Sequence, residues 1–259
     1  MTSSNSLARA IRRGYESNLQ QSPTITPPAS ADANPQQNPL RDFFEKRKEG
    51  PGIWKWIHYF DIYDRHFRKF RGQDVHVLEI GVYSGGSLDM WLNYFGPKAT
   101  VYGVDIAPEC RVYERDRVKI FIGDQADRSF WQETRKNAPA FDIVIDDGGH
   151  LPEQQIASLE ELFPFMRPGG VYLCEDVHAG YNPFASYVHG LAHKLNDYVV
   201  THNAPDDNER RYVCECRPFQ AVVDSIHLYP YVTILERNSV LRTELKAPKH
   251  GTQWQPYLK

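Results

Sequence analysis

VHVLEIGVYSGGSLDMW, residues 75–91, decides the fold. VHVLEI at 75–80 reads as a strand, GVYSGG as a glycine-rich turn, and SLDMWLNYF at 87–95 as a helix. Outward from this unit the rhythm repeats. TVYGVDI (100–106) reads as a second strand and VKIFIGD (118–124) as a third, followed by a helix near 127–137. FDIVIDD (141–147) is a fourth strand. LPEQQIASLEELFPFM is helical, with Pro152 in its first turn and Pro168–Gly169–Gly170 closing the connection to a fifth strand, VYLCED (171–176). Strands separated by helices imply right-handed crossovers and an α/β, doubly wound, mostly parallel sheet. AVVDSIHLYPYVTILER (221–237) holds two strand-like runs around Tyr229–Pro230, expected as an antiparallel pair at the sheet edge. Between the fifth strand and this pair, 181–213 is expected to hold a helix near 184–197 and a polar loop at 202–210.

The flanks differ from this core. Residues 1–40 read as a disordered, low-complexity tail, clearest in PTITPPASADANPQQNP. Met1–Ser17 carries Arg9, Arg12 and Arg13 against Glu16, a weak amphipathic targeting pattern without a signal-peptide apolar region. Aromatics at 56, 59, 60, 63, 67 and 70 have helical spacing, so 41–72 is expected to be a helical extension packing an aromatic face on the main domain. The domain itself is expected over 73–240, with a tail at 241–259.

In 259 residues with a net charge of −3 there is no electrostatic case for a nucleic-acid partner. No apolar run reaches membrane-spanning length. Cys110, Cys174, Cys214 and Cys216 lack the paired C-x-x-C spacing of a zinc site, and Cys174 reads as a small core hydrophobe. These features favour a cytoplasmic location, with a mitochondrial one as the alternative from the arginines near the start. A homo-oligomer is left open.

Two strands end in paired acids: VIDDGGH at 144–150 and YLCEDVH at 172–178. Neighbouring residues at a strand end point in different directions. If the two strands are adjacent and parallel, both pairs open onto the crevice where open α/β sheets bind ligands. Carboxylates converging there repel unless a divalent cation neutralises them. Upstream, Gly81-x-x-x-Gly85-Gly86 is not the spacing of a dinucleotide site. Glu79 is awkward beside a pyrophosphate and suits a ligand carrying an ammonium group. Asp105, at the end of the second strand, can accept both hydroxyls of a ribose, and Asp124 with Gln125 can bond an adenine edge. Together these describe S-adenosylmethionine better than a nicotinamide dinucleotide.

EIGVYSGGSLDMW, YGVDI, GDQAD, VIDDGGH and CEDVH together resemble the class I S-adenosylmethionine-dependent methyltransferases. Within them, the chain is similar to the metal-dependent macrolide and rhamnosyl sugar O-methyltransferases and to the cephalosporin hydroxylase-associated group. The resemblance runs from about Trp54 to Arg237 and implies a seven-stranded Rossmann-like sheet. It implies Mg2+ ligation by Asp147, Glu175 and Asp176, with His150 as general base. Donor contacts are expected from Glu79, Gly81, Ser84, Gly85, Gly86, Ser87, Asp105, Asp124, Gln125 and Asp146, the last in a cofactor or structural role. Gly149 stands where many relatives have serine.

The chemistry then follows. A cation that binds two neighbouring hydroxyls of a sugar or polyol lowers a hydroxyl pKa and aims its oxygen at the sulfonium methyl. An imidazole removes the proton. His178 and Tyr181 are further candidates for substrate contact. Rival readings are methylation of a phenol or catechol, a non-catalytic partner that keeps the donor site, and a nicotinamide oxidoreductase, which the glycine spacing and Glu79 disfavour.

Overall fold

The computed structural model describes residues 3–17, 38–178, 182–197, 200–203, 212–248 and 250–251. It divides into a short unit, Met1–Gln37, and a main body, Asn38–Lys259. In the short unit, α1 (Ser3–Tyr15) is a helix with an exposed Arg12–Glu16 ion pair, so this stretch of the expected disordered tail is helical. The remainder of that tail, 18–37, lies outside the described residues.

The main body opens with α2 (Pro39–Lys46), capped by the Asn38 side chain, and α3 (Tyr59–Phe67). The alternating core follows as β1 (His76–Ile80), α4 (Gly86–Phe95), β2 (Thr100–Asp105), β3 (Val118–Ile122), α5 (Arg128–Asn137), β4 (Ile143–Asp146), α6 (Pro152–Leu162) and β5 (Val171–Cys174). Then come α7 (Phe184–Leu195), β6 (Val200–Asn203), β7 (Tyr212–Glu215), α8 (Pro218–Val222), β8 (Val223–Tyr229), β9 (Val232–Arg237) and β10 (Glu244–Ala247). The main sheet has the order β3-β2-β1-β4-β5-β9-β8. Its first five strands are parallel and the last two antiparallel, so the expected seven-stranded α/β sheet with its edge pair is what the chain forms.

Alternation along the strands feeds two cores. Val77, Ile143 and Ile145 pack towards α2, α3 and α4, against Tyr63, Phe67, Trp91 and Phe95. Leu78, Ile80 and Val144 face the other way, towards Trp131, Leu159 and Phe184. The aromatic stripe on α3 is therefore core, as its spacing predicts. The helix itself is shorter than expected. Trp54–His58 forms a strap ahead of it, where Lys55 turns inward and both Lys55 and Trp56 bond carboxylates distant in the chain.

A second correction concerns β6, β7 and β10, which form a separate antiparallel sheet. It draws on part of the expected polar loop at 202–210 and on the expected tail at 241–259. In β10 only Glu244 is even partly buried, so no apolar alternation announces the strand.

Candidate active site

Strand register builds the site. Ile80 pairs with Asp146 and Val104, and Asp146 pairs with Cys174. The next residues, Gly81, Asp105, Asp147 and Glu175, therefore lie in one layer at or just beyond the carboxyl ends of β1, β2, β4 and β5. The strand order reverses between β1 and β4, the place where open α/β sheets bind ligands. A cleft of about 810 Å3 opens there, within the range of small-molecule sites. The strap and the two residues before it, Gly52 to Ile57, line one side of the cleft.

On the floor, a lysine sits among the acids. Lys55 Nζ donates to Asp147 Oδ2 at 2.5 Å and to Glu175 Oε1 and Oε2 at 3.0 and 3.1 Å, with Glu79 Oε1 at 3.8 Å. Burial alone would pull this ammonium down. The carboxylates of Asp147, Glu175 and Glu79 outweigh it and push its pKa up. Burial and the Asp147 charge push the pKa of the fully buried Glu175 up, against the pull of Lys55 and of the Tyr63 hydroxyl at 2.6 Å. Glu79 faces α4, where Ser87 Oγ (2.7 Å) and Trp91 Nε1 (3.0 Å) donate to it; burial raises its pKa. The ammonium that Glu79 meets is the protein's own.

Asp176 completes the layer. Its Oδ1 accepts from Tyr59 Oη (2.7 Å) and Trp56 Nε1 (3.1 Å), and its Oδ2 lies 3.6 Å from His150 Nε2. The same Nε2 is 4.0 Å from Asp147 Oδ1. One ligand atom each from Asp147, His150 and Asp176 falls within 4.8 Å of the other two. Among the described residues, the buried His150 Nδ1 has no hydrogen-bond partner, and the residue has a φ of +57°. The Asn182 side chain donates to the His150 carbonyl and holds the loop backbone.

The donor-side expectations divide. Gly81, Ser84, Ser87, Asp105, Asp124 and Gln125 line the cleft. Asp105 also ties down the glycine turn, accepting from the Val82, Tyr83 and Ala107 N–H groups. The Gln125 amide is held internally, donating to Asp146 and Ser158 and accepting from Gly149 N–H. Asp146 is a correction: it points into the second core, 1% exposed, accepting from Gln125 and Tyr172, and does not reach the cleft. Gly85 and Gly86 are likewise needed by the chain itself. A Cβ on Gly85 would strike the Tyr113 ring, and one on Gly86 would lie 2.3–2.4 Å from the Gly52 and Pro51 carbonyl oxygens. Gly86→Ala is therefore expected to destabilise the fold by about 1–3 kcal/mol, read as a lower urea midpoint. An unchanged midpoint would mean that the strap yields freely.

The His178 ring lies against Tyr231 in a tilted contact with ring centres 4.7 Å apart, and Tyr181 lies outside the described residues. Sequence reasoning missed Lys55, Trp56, Tyr59 and Tyr63. The available signal was Lys55, set between two tryptophans at the head of an aromatic run read as core, where a charge survives only if paired.

This sheet order, with a glycine turn after β1, an acid at the end of β2 and acids after β4 and β5, defines a class I methyltransferase fold. Residues 78–177 match the family model described as a methyltransferase domain. It is similar to mycinamicin VI 2''-O-methyltransferase of Micromonospora griseorubida, 36% identical over 70% of this chain and 49% of that one. It is also similar to 8-demethyl-8-alpha-L-rhamnosyl tetracenomycin-C 2'-O-methyltransferase of Streptomyces olivaceus, 33% identical over 73% of this chain and 53% of that one. Among solved structures, the MycE methyltransferase of the mycinamycin biosynthetic pathway, in complex with Mg and SAH, superposes with a TM-score of 0.60. That match has 29% identity and covers 78% of this chain and 54% of the other. The chain spans about half the length of the curated relatives it matches.

Proposed function

We propose that this chain is a divalent-cation-dependent O-methyltransferase. S-adenosylmethionine is the methyl-donor substrate, and the acceptor is a hydroxyl of a small molecule, a sugar or polyol group of a secondary metabolite. The observation that carries the reading is the convergence of Asp147, Asp176 and His150 in a cleft whose other wall is the glycine turn after β1. The carboxylate oxygens there suit a hard cation, held by Asp147 and Asp176 with Glu175 beside them. Bound there, the cation acidifies and orients an acceptor hydroxyl. Gly81, Ser84, Asp105 and Asp124 provide the donor side, and Asp105 keeps the turn in shape. His150 receives the hydroxyl proton at Nε2, the ring nitrogen aimed at the acids. Trp56 and Tyr59 hold Asp176. Residues 73–240 act as the transfer domain and 41–72 as its cap. The names of the relatives support a sugar acceptor, and the net charge of −3 supports a partner other than nucleic acid. Among the described residues no helix is long and apolar enough to cross a membrane, and a cytoplasmic location goes with the proposal.

The test is methyl transfer from labelled donor to a panel of glycosides and catechols, with and without chelator. Transfer to glycosides that stops on chelation and returns with Mg2+ is expected. Full activity in excess chelator would remove the cation, and transfer to catechols alone would change the acceptor.

A further inference from the structure

Lys55 lies in the strap ahead of α3, yet its side chain is only 3% exposed and reaches the floor of the cleft. Its ammonium joins residues from three strand ends: Glu79 on β1, Asp147 after β4 and Glu175 after β5. Burying a lysine this way is costly in desolvation, and the fold meets that cost with three carboxylates around one cation. The contacts also divide the acids. Asp147 gives Oδ2 to Lys55 and turns Oδ1 towards His150. Asp176 gives Oδ1 to Trp56 and Tyr59 and turns Oδ2 towards the same imidazole. Which oxygen of Asp147 faces His150 is thus set by the cation behind it.

We infer that Lys55 is a positioning residue for methyl transfer. Its ammonium holds Asp147 and Glu175 from behind, so that a divalent cation between Asp147 and Asp176 is confined to one place beside His150. The same positive charge weakens the binding of that cation. The inference rests on the cation-dependent reading of the site and yields two effects of opposite sign. Without the ammonium, its repulsion of the cation disappears and more carboxylate oxygens become available, so the cation binds more tightly. The carboxylates are then free to turn, and a displacement of about 1 Å at the reacting oxygen slows transfer about a hundredfold. A residue that merely propped the fold would lose affinity and rate together.

The experiment measures Mn2+ binding by electron paramagnetic resonance, beside turnover, in the wild type, Lys55→Met and Lys55→Arg. Lys55→Met is expected to bind Mn2+ about tenfold more tightly and to turn over about a hundredfold more slowly. Lys55→Arg keeps the charge and is expected to bind Mn2+ much as the wild type does. Unchanged or weaker Mn2+ binding in folded Lys55→Met overturns the inference, as does unchanged turnover. Should Lys55→Met not fold, Lys55→Gln takes its place: the neutral variant must bind Mn2+ more tightly than Lys55→Arg, and the reverse order overturns the inference. Wild-type protein that binds no Mn2+ overturns the cation reading and this inference with it. Binding by the wild type without tightening in the variant overturns the inference alone.

Discussion

Asp147→Asn is expected to slow methyl transfer by about a thousandfold while S-adenosylhomocysteine still binds nearly as well as to the wild type. Asparagine keeps the shape of the side chain and removes its charge. Two cationic partners lose an anion at once: Lys55, 2.5 Å from Oδ2, and the cation proposed beside Oδ1. The donor side should survive because Asp147 contributes to it through its backbone. The Asp147 carbonyl packs where a Cβ on Gly81 would be, 2.0 Å away, and Gly81 has a φ of +90°. That junction does not depend on the carboxylate. Single-turnover transfer and calorimetry of S-adenosylhomocysteine binding check the two halves separately. Mn2+ affinity should fall in this variant, opposite to the change expected for Lys55→Met. Turnover within about tenfold of wild type would sink the role given to Asp147.

The contrast between Asp147 and Asp146 shows what was legible in the sequence. Both end the same apolar run, and adjacency alone makes them equivalent. Strand alternation separates them, because Asp146 is still in β4 and faces the core of α5 and α6, where Gln125 and Tyr172 donate to it. The parallel core was readable because its strands are apolar on both faces and its connections carry helical spacing. Glycines were read as ligand contacts, yet Gly85 and Gly86 answer to Tyr113 and to the strap, partners that no local pattern names. Lys55 was hidden for the same reason. Its partners lie 92 and 120 residues away, and the surrounding aromatic spacing was absorbed into a helix that begins only at Tyr59. Local periodicity reports which face is buried, not which charge a distant strand end supplies.

His150→Gly is expected to slow transfer about 10²–10⁴-fold, with part of the rate restored by added imidazole. Glycine is the informative replacement because His150 has a φ of +57°, a conformation that strains an alanine backbone and suits glycine. A loss in His150→Ala would mix that strain with the loss of a base. In His150→Gly the backbone relaxes, so reduced rate reports the missing imidazole. The deletion also leaves space beside Asp147 and Asp176, the carboxylates 4.0 and 3.6 Å from Nε2, for a free imidazole to enter. The Asn182 bond to the residue 150 carbonyl is indifferent to the side chain and should keep the loop in register. Unfolding midpoints that match the wild type, with rate that rises as imidazole is added, would identify His150 as the proton acceptor. A slow variant that imidazole leaves slow would assign His150 to shaping the loop, and unchanged turnover would leave the proton to another group.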